Sequence, residues 1–365
     1  MAGKLCAQWI SKATPLEPSV HKVTHPHSAG ERDRIIGFLD GQLRKEAGFS
    51  VREEYPAIFG EFPGGESVFI ERAGRIASHV GFVVRDYHHP EFRLKIGLLG
   101  SVATAPEWQN QGLASHLLQA AVTELKARGC ALAVLWSDAP DFYKALGFER
   151  GGRERDFKFS TQATLEGSQT TVPFDSLLHG HWVWRLYLKH AGRLDRSLEE
   201  QKRLFKIPKA QIFVTEKQGE VSSYLAIHKG ADFTNYIHEW GGDLLSVRDN
   251  IASTQRQFFA DKPLTLIAPA YYDLAPLRSI ASEEWPGILG LVKILDRGAV
   301  LSTYLNYLKR HGHTGQWQRE VGKVTIDGQA VSIAQDVDLV KLVLGNEESP
   351  LHPVLPFFLW GFDSI

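Results

Sequence analysis

The stretch from Leu94 to Phe148 is the most regular in the chain and admits few folds. Residues 94–104 read as an apolar strand that stops at Ala105-Pro106, because proline cannot donate to a ladder. After a polar loop, Gly112 opens a helix in which Leu113, Leu117, Leu118, Ala121, Val122 and Leu125 recur at helical spacing. Arg128-Gly129 ends that helix, and a continuous apolar strand, residues 131–136, follows at once. A short helix over 141–146 is closed by Gly147, and Phe148 starts another strand. Apolar strands separated by a helix with one apolar face bury themselves as a layered, mixed α/β sheet.

The flanking sequence extends this unit and then repeats it. At 365 residues the chain exceeds one ordinary core. Residues 20–24 read as a short strand. Ser28 followed by Glu31 forms a capping box ahead of the helical pattern Ile35, Ile36, Leu39, Leu43. Residues 46–65 read as loop, and 67–72 and 77–84 as strands paired around Ala73-Gly74-Arg75. Polar residues 153–171 mark a boundary. A second α/β set then reads as helix 176–204, hairpin strands 211–216 and 220–228, strand 235–240, helix 246–259 and strand 264–269. The same kinds of element in the same order imply an internal duplication. A third piece starts near Ile288 with a strand, a helix over 299–310, and a hairpin turning at Asp327-Gly328 between 321–326 and 329–334. A helix over 337–344 and an apolar tail, 355–365, complete it. The expected division is 1–152, 153–286 and 287–365.

Bulk properties exclude several functions. Forty-one Lys and Arg balance 42 Asp and Glu, a net charge of −1, which gives no electrostatic case for nucleic acid or an anionic membrane as partner. Cys6 and Cys130 are the only cysteines, which fits a reducing cytoplasm. The N-terminus lacks a signal-type apolar region, and no apolar run reaches a membrane span. The close pairs His25/His27, His88/His89, His179/His181 and His311/His313 have no Cys or acidic partner at ligand spacing, so no metal is expected.

The chemistry begins at Gln109-Asn110-Gln111-Gly112-Leu113-Ala114-Ser115. A helix N-terminus leaves backbone N–H groups unpaired and carries partial positive charge. Gly112 and the small Ala114 remove side-chain bulk where the backbone would close on a pyrophosphate, so a neutral chain can bind a highly charged ligand through main-chain donors. The six residues from Gln109 to Ala114 by themselves fit a plain loop-to-helix junction equally well. Their context is V-A-T-A-P-E-W-Q-N-Q-G-L-A-S-H-L-L-Q-A-A, an A-L-A-V-L-W strand, then D-F-Y-K-A-L-G-F. Together these resemble the GNAT acyltransferases, whose signature is a strand, a Q/R-x-x-G-x-G/A loop, a helix, a strand and a terminal F-Y-x-x-L-G-F. Gln109, Gly112 and Ala114 fall on the defining positions of the loop, and Tyr143, Gly147 and Phe148 on the later element; the match covers about residues 20 to 150.

The resemblance implies acetyl-CoA as co-substrate, with no metal, and a V-shaped opening between the 94–104 and 131–136 strands. Pantetheine would run along Val102, Ala103 and Thr104, and the pyrophosphate would sit at Gln109, Asn110, Gln111, Gly112, Leu113, Ala114 and Ser115. Tyr143 would lie near the thioester sulfur, where a phenol can protonate the departing thiolate; it can also be read as an aromatic core residue of the short helix. Many relatives have an Asn shortly before the tyrosine, and Ser137-Asp138 stands there instead. The 94–104 strand has no carboxylate to serve as base; Glu53, Glu54, Glu71, Asp86 and His79 are conceivable bases, each more readily placed on the surface.

The layout beyond residue 150 resembles the Eis-type (enhanced intracellular survival) acetyltransferases: tandem GNAT folds followed by a small C-terminal α+β module. The second set has I-H-E-W-G-G-D-L-L-S where a coenzyme loop would lie, so it looks degenerate. Leu291-Val292-Lys293-Ile294-Leu295-Asp296 resembles the opening of that family's sterol-carrier-like domain, here shortened. In Eis-like enzymes the terminal carboxylate enters the active site and takes a proton, which makes Ile365, or failing that Asp363, the candidate base. A tail that merely packs is the other reading. The implied activity is acetyl transfer to a small amine or lysine-type acceptor by direct attack, with a homo-oligomer as is common among relatives. A mycothiol-synthase-like tandem GNAT protein and a non-catalytic acyl-CoA-binding regulator are the alternatives.

Overall fold

The computed structural model describes residues 22–60, 64–160, 170–345 and 352–365. Cys6, the N-terminal lead-in and residues 20–21 lie outside them; of the first expected strand, Thr24 forms one antiparallel bridge to Phe69. The capping box is present: the Glu31 N–H donates to Ser28 Oγ and the Ser28 N–H to the Glu31 carboxylate, starting α1 (Ala29–Leu43). Within residues 46–65, expected as loop, lie two short helices, α2 (Val51–Glu54) and α3 (Pro56–Phe59). Ser50 and Glu53 form a second capping box on the first. Pro56 opens the second, where its missing N–H costs nothing.

Strands β1 (Gly65–Arg72), β2 (Arg75–His89) and β3 (Phe92–Thr104) then pair consecutively and antiparallel. Helix α4 (Leu113–Ala127) crosses back to β4 (Leu132–Leu135), which lies parallel to β3. Leu113, Leu117, Leu118, Ala121 and Leu125 are the buried face of α4, packed with Val68, Phe82 and Leu99 of the sheet. Helix α5 (Pro140–Lys144) and β5 (Glu149–Gly151) follow.

The expected boundary at 153–171 contains β6 (Glu154–Phe159), an internal strand of a second sheet. After β7 (Thr171–Pro173), residues 176–204 form not one helix but α6 (Gly180–Leu188), β8 (Arg193–Leu194) and α7 (Leu198–Leu204). The break has a physical cause: Gly192 presses on the Tyr87 hydroxyl, leaving no room for a Cβ, while β8 pairs with β2. A new capping box, Ser197 with Glu200, restarts the helix. Strands β9 (Gln211–Lys217), β10 (Glu220–Ile227) and β11 (Tyr236–Gly242) are antiparallel neighbours. Helix α8 (Leu244–Phe258) leads to β12 (Leu264–Pro269), parallel to β11, and α9 (Ala275–Arg278) leads to β13 (Glu283–Gly287).

The next strand, β14 (Gly290–Ile294), returns to the first sheet and pairs antiparallel with both β4 and β5. Leu291 to Ile294 therefore do not open a separate module, as their sterol-carrier resemblance implied; they complete the sheet that begins at Gly65. The first sheet runs β1-β2-β3-β4-β14-β5, and the second, read in the same sense, β9-β10-β11-β12-β6-β13 with β7 beyond β9. The two orders match position by position. β6, which follows β5 in the chain, and β14, which follows β13, have traded sheets. The duplication is thus one of topology, and the two units are interlocked through their own strands.

Helix α10 (Arg297–Arg310), a meander of β15 (Gly315–Gln318), β16 (Lys323–Ile326) and β17 (Gln329–Ser332), and α11 (Asp336–Leu344) cover the other face of the first sheet. Asp327 and Gly328, both at positive φ, make the turn of the β16–β17 hairpin. None of the described helices is long and apolar enough to cross a membrane.

The apolar tail is buried between the two units. Leu355, Phe357 and Leu359 join the core under the first sheet, whereas Phe358 and Trp360 join that of the second, as the two-residue alternation of an extended chain requires. Trp360 stacks on His190 at 3.8 Å and donates its indole N–H to the Gly192 carbonyl at 3.0 Å; Phe362 meets His238 edge-on at 4.7 Å. Burial pushes the His190 and His238 rings down to about 3 from their ordinary 6.5. Above pH 6.5 these rings are neutral in the folded and unfolded chain alike. As pH falls below that, the unfolded chain takes up protons the folded chain refuses until about pH 3. Urea unfolding is expected to show stability lost between about pH 6.5 and about pH 4, with a slope approaching about 1.4 kcal/mol per pH unit for each ring. A flat profile there would contradict the neutral, buried state of both.

Candidate active site

The opening arises where two parallel strands stop pairing. β3 and β4 are matched only from Ile96 to Leu98 against Leu132 to Val134. Beyond that β3 runs on to Thr104, while β4 ends at Leu135. At the same place β3 carries a bulge opposite His79 to Gly81, with Ser101 at φ 51°. A bulge of this kind bends its strand and re-aims backbone groups, here along the edge that faces the opening. Val102 lies in the bulge with Ser101, and Ala103 and Thr104 lie just past it. The Thr104 carbonyl already accepts from the Gln109 side-chain amide at 3.2 Å, so Gln109 braces the strand end against the loop.

That loop leads into α4 with Asn110 at φ 59° and Gly112 at φ 73°, both left-handed. Gly112 is the N-cap and no side chain caps the helix. The first N–H groups of α4, from Leu113, Ala114 and Ser115, therefore have no helical acceptor. Gln111 is held by the Arg72 guanidinium and by the Glu107 carbonyl at 3.5 Å. The equivalent helix of the second unit differs: the Asp243 carboxylate caps α8, accepting from the Ser246 N–H at 3.0 Å and the Ser246 hydroxyl at 2.6 Å. A carboxylate already fills the position where an anion would bind.

Tyr143 sits on α5, packed edge-on against Phe142 at 4.9 Å and Phe148 at 6.0 Å. Burial pushes its phenol up to about 12, opposed by a hydrogen bond with Ser137, so it keeps its proton at neutral pH. Ser137 thus occupies the neighbourhood in which many relatives have Asn.

The end of the chain also reaches β3. A Cβ on Gly100 would collide with the carboxyl oxygen of Ile365, so the terminal carboxyl lies directly against β3. The tail before it is held twice. Arg196 binds Asp363 Oδ1 at 2.7 Å and Glu239 at 2.9 Å, with its guanidinium 4.1 Å over the Tyr187 ring. The buried Lys229 donates to the Gly361 carbonyl at 2.9 Å, to Ser364 Oγ at 2.7 Å and to the Ser364 carbonyl.

The other base candidates are placed elsewhere. Glu53, Glu71 and Asp86 are exposed. Glu54 and His79, expected at the surface, are fully buried. Glu54 binds Arg44 and accepts from the Ala231 N–H at 2.6 Å. His79 lies between the Ser101 carbonyl at 2.9 Å and Ser67 Oγ at 3.0 Å, and burial pushes it down to about 4, a neutral ring that props the bulge. Asp363 is committed to Arg196. Among the described residues no group of three His, Cys, Asp or Glu side chains could hold a metal ion.

Sequence reasoning missed Gly100, Ser101 and Lys229. Gly100 left a signal: a glycine inside an apolar strand marks a close backbone approach. Lys229 left none, since nothing local distinguishes a buried lysine.

Residues 31–151 match the family model described as the acetyltransferase (GNAT) domain. This segment is a GNAT acetyltransferase domain. A chain that carries this domain is an acyltransferase. No curated protein matches its sequence. Its fold is similar to that of a probable N-acyltransferase from Enterococcus faecalis, at 15% identity and TM-score 0.60, over 79% of this chain and 75% of that one. A GCN5-related N-acetyltransferase from Anabaena variabilis is similar over 86% and 84%, at 14% identity and TM-score 0.57. Eis1 from Mycobacterium abscessus is similar over 77% and 75%, at 12% identity and TM-score 0.51.

A side chain at Gly112 must adopt a left-handed backbone conformation. Gly112→Val is expected to cost about 1–2 kcal/mol in that conformation; a free loop that relaxes out of it must be driven back when the coenzyme binds, read by calorimetry as roughly tenfold weaker CoA binding. Unchanged affinity would separate Gly112 from the coenzyme.

Proposed function

We propose that the protein moves acetyl from acetyl-CoA to a primary amine by direct attack within a ternary complex. One observation carries this reading: the terminal carboxyl lies against Gly100 of β3, and Tyr143, whose phenol keeps its proton, lies on α5, the element that follows β4, the strand from which β3 parts beyond Leu98. In this mechanism the α4 N-terminus, with Gly112, Leu113, Ala114 and Ser115, binds the pyrophosphate. Val102, Ala103 and Thr104 align the pantetheine arm. The carboxylate of Ile365 removes the proton from the attacking amine, and Tyr143 protonates the thiolate as the tetrahedral intermediate collapses. Holding both substrates in one opening removes the need for a covalent acyl-enzyme.

Cysteine chemistry supports direct attack. Cys130 is buried in the turn between α4 and β4, and its thiol is pushed up to about 11 by desolvation, so almost no thiolate is present at neutral pH. The double hold on the tail, through Arg196 and Lys229, supports an Eis-like use of the terminal carboxylate. The acceptor class is a small amine or a lysine side chain.

Thiol release from acetyl-CoA in the presence of a panel of primary amines tests the activity; CoA binding with no release on any amine would favour a regulatory protein. Deleting Ser364 and Ile365 is expected to cut turnover about 100-fold while leaving CoA affinity unchanged, and undiminished turnover would remove Ile365 from the mechanism. Tyr143→Phe should also lower turnover by about 100-fold, with the high-pH limb of the rate profile altered. A profile identical to wild type at full rate would leave Tyr143 as a packing residue only.

A further inference from the structure

The terminal carboxylate needs a fixed position to act as a base, yet Ile365 itself is half exposed and follows an irregular segment with one short 3-10 turn. The restraint must come from its neighbours. Lys229 follows β10 of the second unit and is 1% exposed, an unusual place for a lysine. Its three donors are spent on the last residues of the chain: the Gly361 carbonyl, the Ser364 carbonyl and the Ser364 hydroxyl. Ser364 Oγ in turn donates to the Gly361 carbonyl at 2.8 Å, which closes the turn on itself. The contacts end one residue before the carboxylate, and that carboxylate is the group lying on Gly100. Gly361 is needed for the approach, because a Cβ there would collide with His238.

We infer that Lys229 is the positioning residue that sets the Ile365 carboxylate in the opening beside Gly100, so that the second α/β unit serves the reaction by holding the end of the chain. The inference rests on the reading of Ile365 as base. It gives the second unit a task that its capped, coenzyme-incompetent α8 does not. It also accounts for a charge that stability alone would not retain, since a buried ammonium costs more than an apolar side chain of the same shape.

The electrostatics are consistent with a charge held for this purpose. Burial pushes Lys229 down to about 8, against the raising effect of Glu54 on α2, Asp232 beyond β10 and Asp363 in the tail; Arg196 lowers it further. The His238 ring on β11 also faces it and is neutral at these pH values. At neutral pH the ammonium therefore persists, one residue from the carboxylate, and favours the ionised form of that carboxylate.

The test uses the full chain labelled with [1-13C]isoleucine, in which the terminal carboxyl carbon of Ile365 is the isoleucine carbonyl that titrates. Lys229→Met is expected to raise the midpoint of that titration and to lower thiol release from acetyl-CoA, with propylamine as acceptor, about 100-fold, at unchanged KM for acetyl-CoA. The acid limb of the rate profile should move up with the carboxyl midpoint, which a merely structural loss would not do. An identical carboxyl titration in folded Lys229→Met overturns the inference. If that variant does not fold, Ser364→Ala decides, since it removes one of the three contacts and keeps the charge. A smaller upward move supports the inference and none overturns it. Loss of turnover on deleting Ser364 and Ile365, with an unmoved titration in Lys229→Met, refutes the role of Lys229 alone. Full turnover after that deletion refutes the reading beneath it.

Discussion

The burial of residues 355–362 between the two sheets is the interaction on which the rest of the molecule depends. An extended chain presents alternate side chains to opposite sides, and here both sides are apolar: Leu355, Phe357 and Leu359 toward one core, Phe358 and Trp360 toward the other. Each such side chain contributes about 1.5–3 kcal/mol when fully buried, so the segment closes both cores at once. Its few polar groups are met by fixed partners, with Tyr87 accepting from the Phe358 N–H at 3.2 Å and donating to the Pro356 carbonyl at 3.1 Å. The final residues are thereby delivered to one place on β3. Delivery of a carboxylate across a whole chain length needs such a rigid route, because a loose tail would lose in entropy what the contact gives.

The exchange of β6 and β14 between sheets serves the same end. Neither sheet is complete without a strand supplied from the far side of the other, so the units cannot hinge freely about a linker. The angle between the opening in the first sheet and Lys229 and Arg196 in the second unit is fixed by that exchange and by β8 pairing with β2. Two copies of one topology then take different work. One leaves its helix N-terminus free behind Gly112; the other closes its helix with Asp243 and spends its buried charges on the tail.

Much of this was legible in the sequence, for identifiable reasons. The helical spacing of Leu113 through Leu125, the Ser28–Glu31 box and the Asp327-Gly328 hairpin turn are local signals, and each corresponds to the element it predicts. The α2 and α3 helices were not, since four-residue helices have no period to detect. The break at Gly192 was hidden because its cause, the Tyr87 hydroxyl, lies 105 positions away along the chain. Strand exchange is invisible for the same reason: β14 reads as a strand wherever it pairs. At the site, the loop and Tyr143 carried motif signals, while Lys229 and Ser101 became visible only through partners brought together by folding.

A crystal structure of the protein with CoA would test the central claim, a single coenzyme site in the first unit faced by the end of the chain. The account predicts pyrophosphate density on the backbone amides from Gly112 to Ser115, the thiol near Tyr143, and the Ile365 carboxylate still against Gly100 at the open side of the sulfur. Pyrophosphate at α8, or a terminal carboxylate outside the opening when CoA is bound, would contradict it.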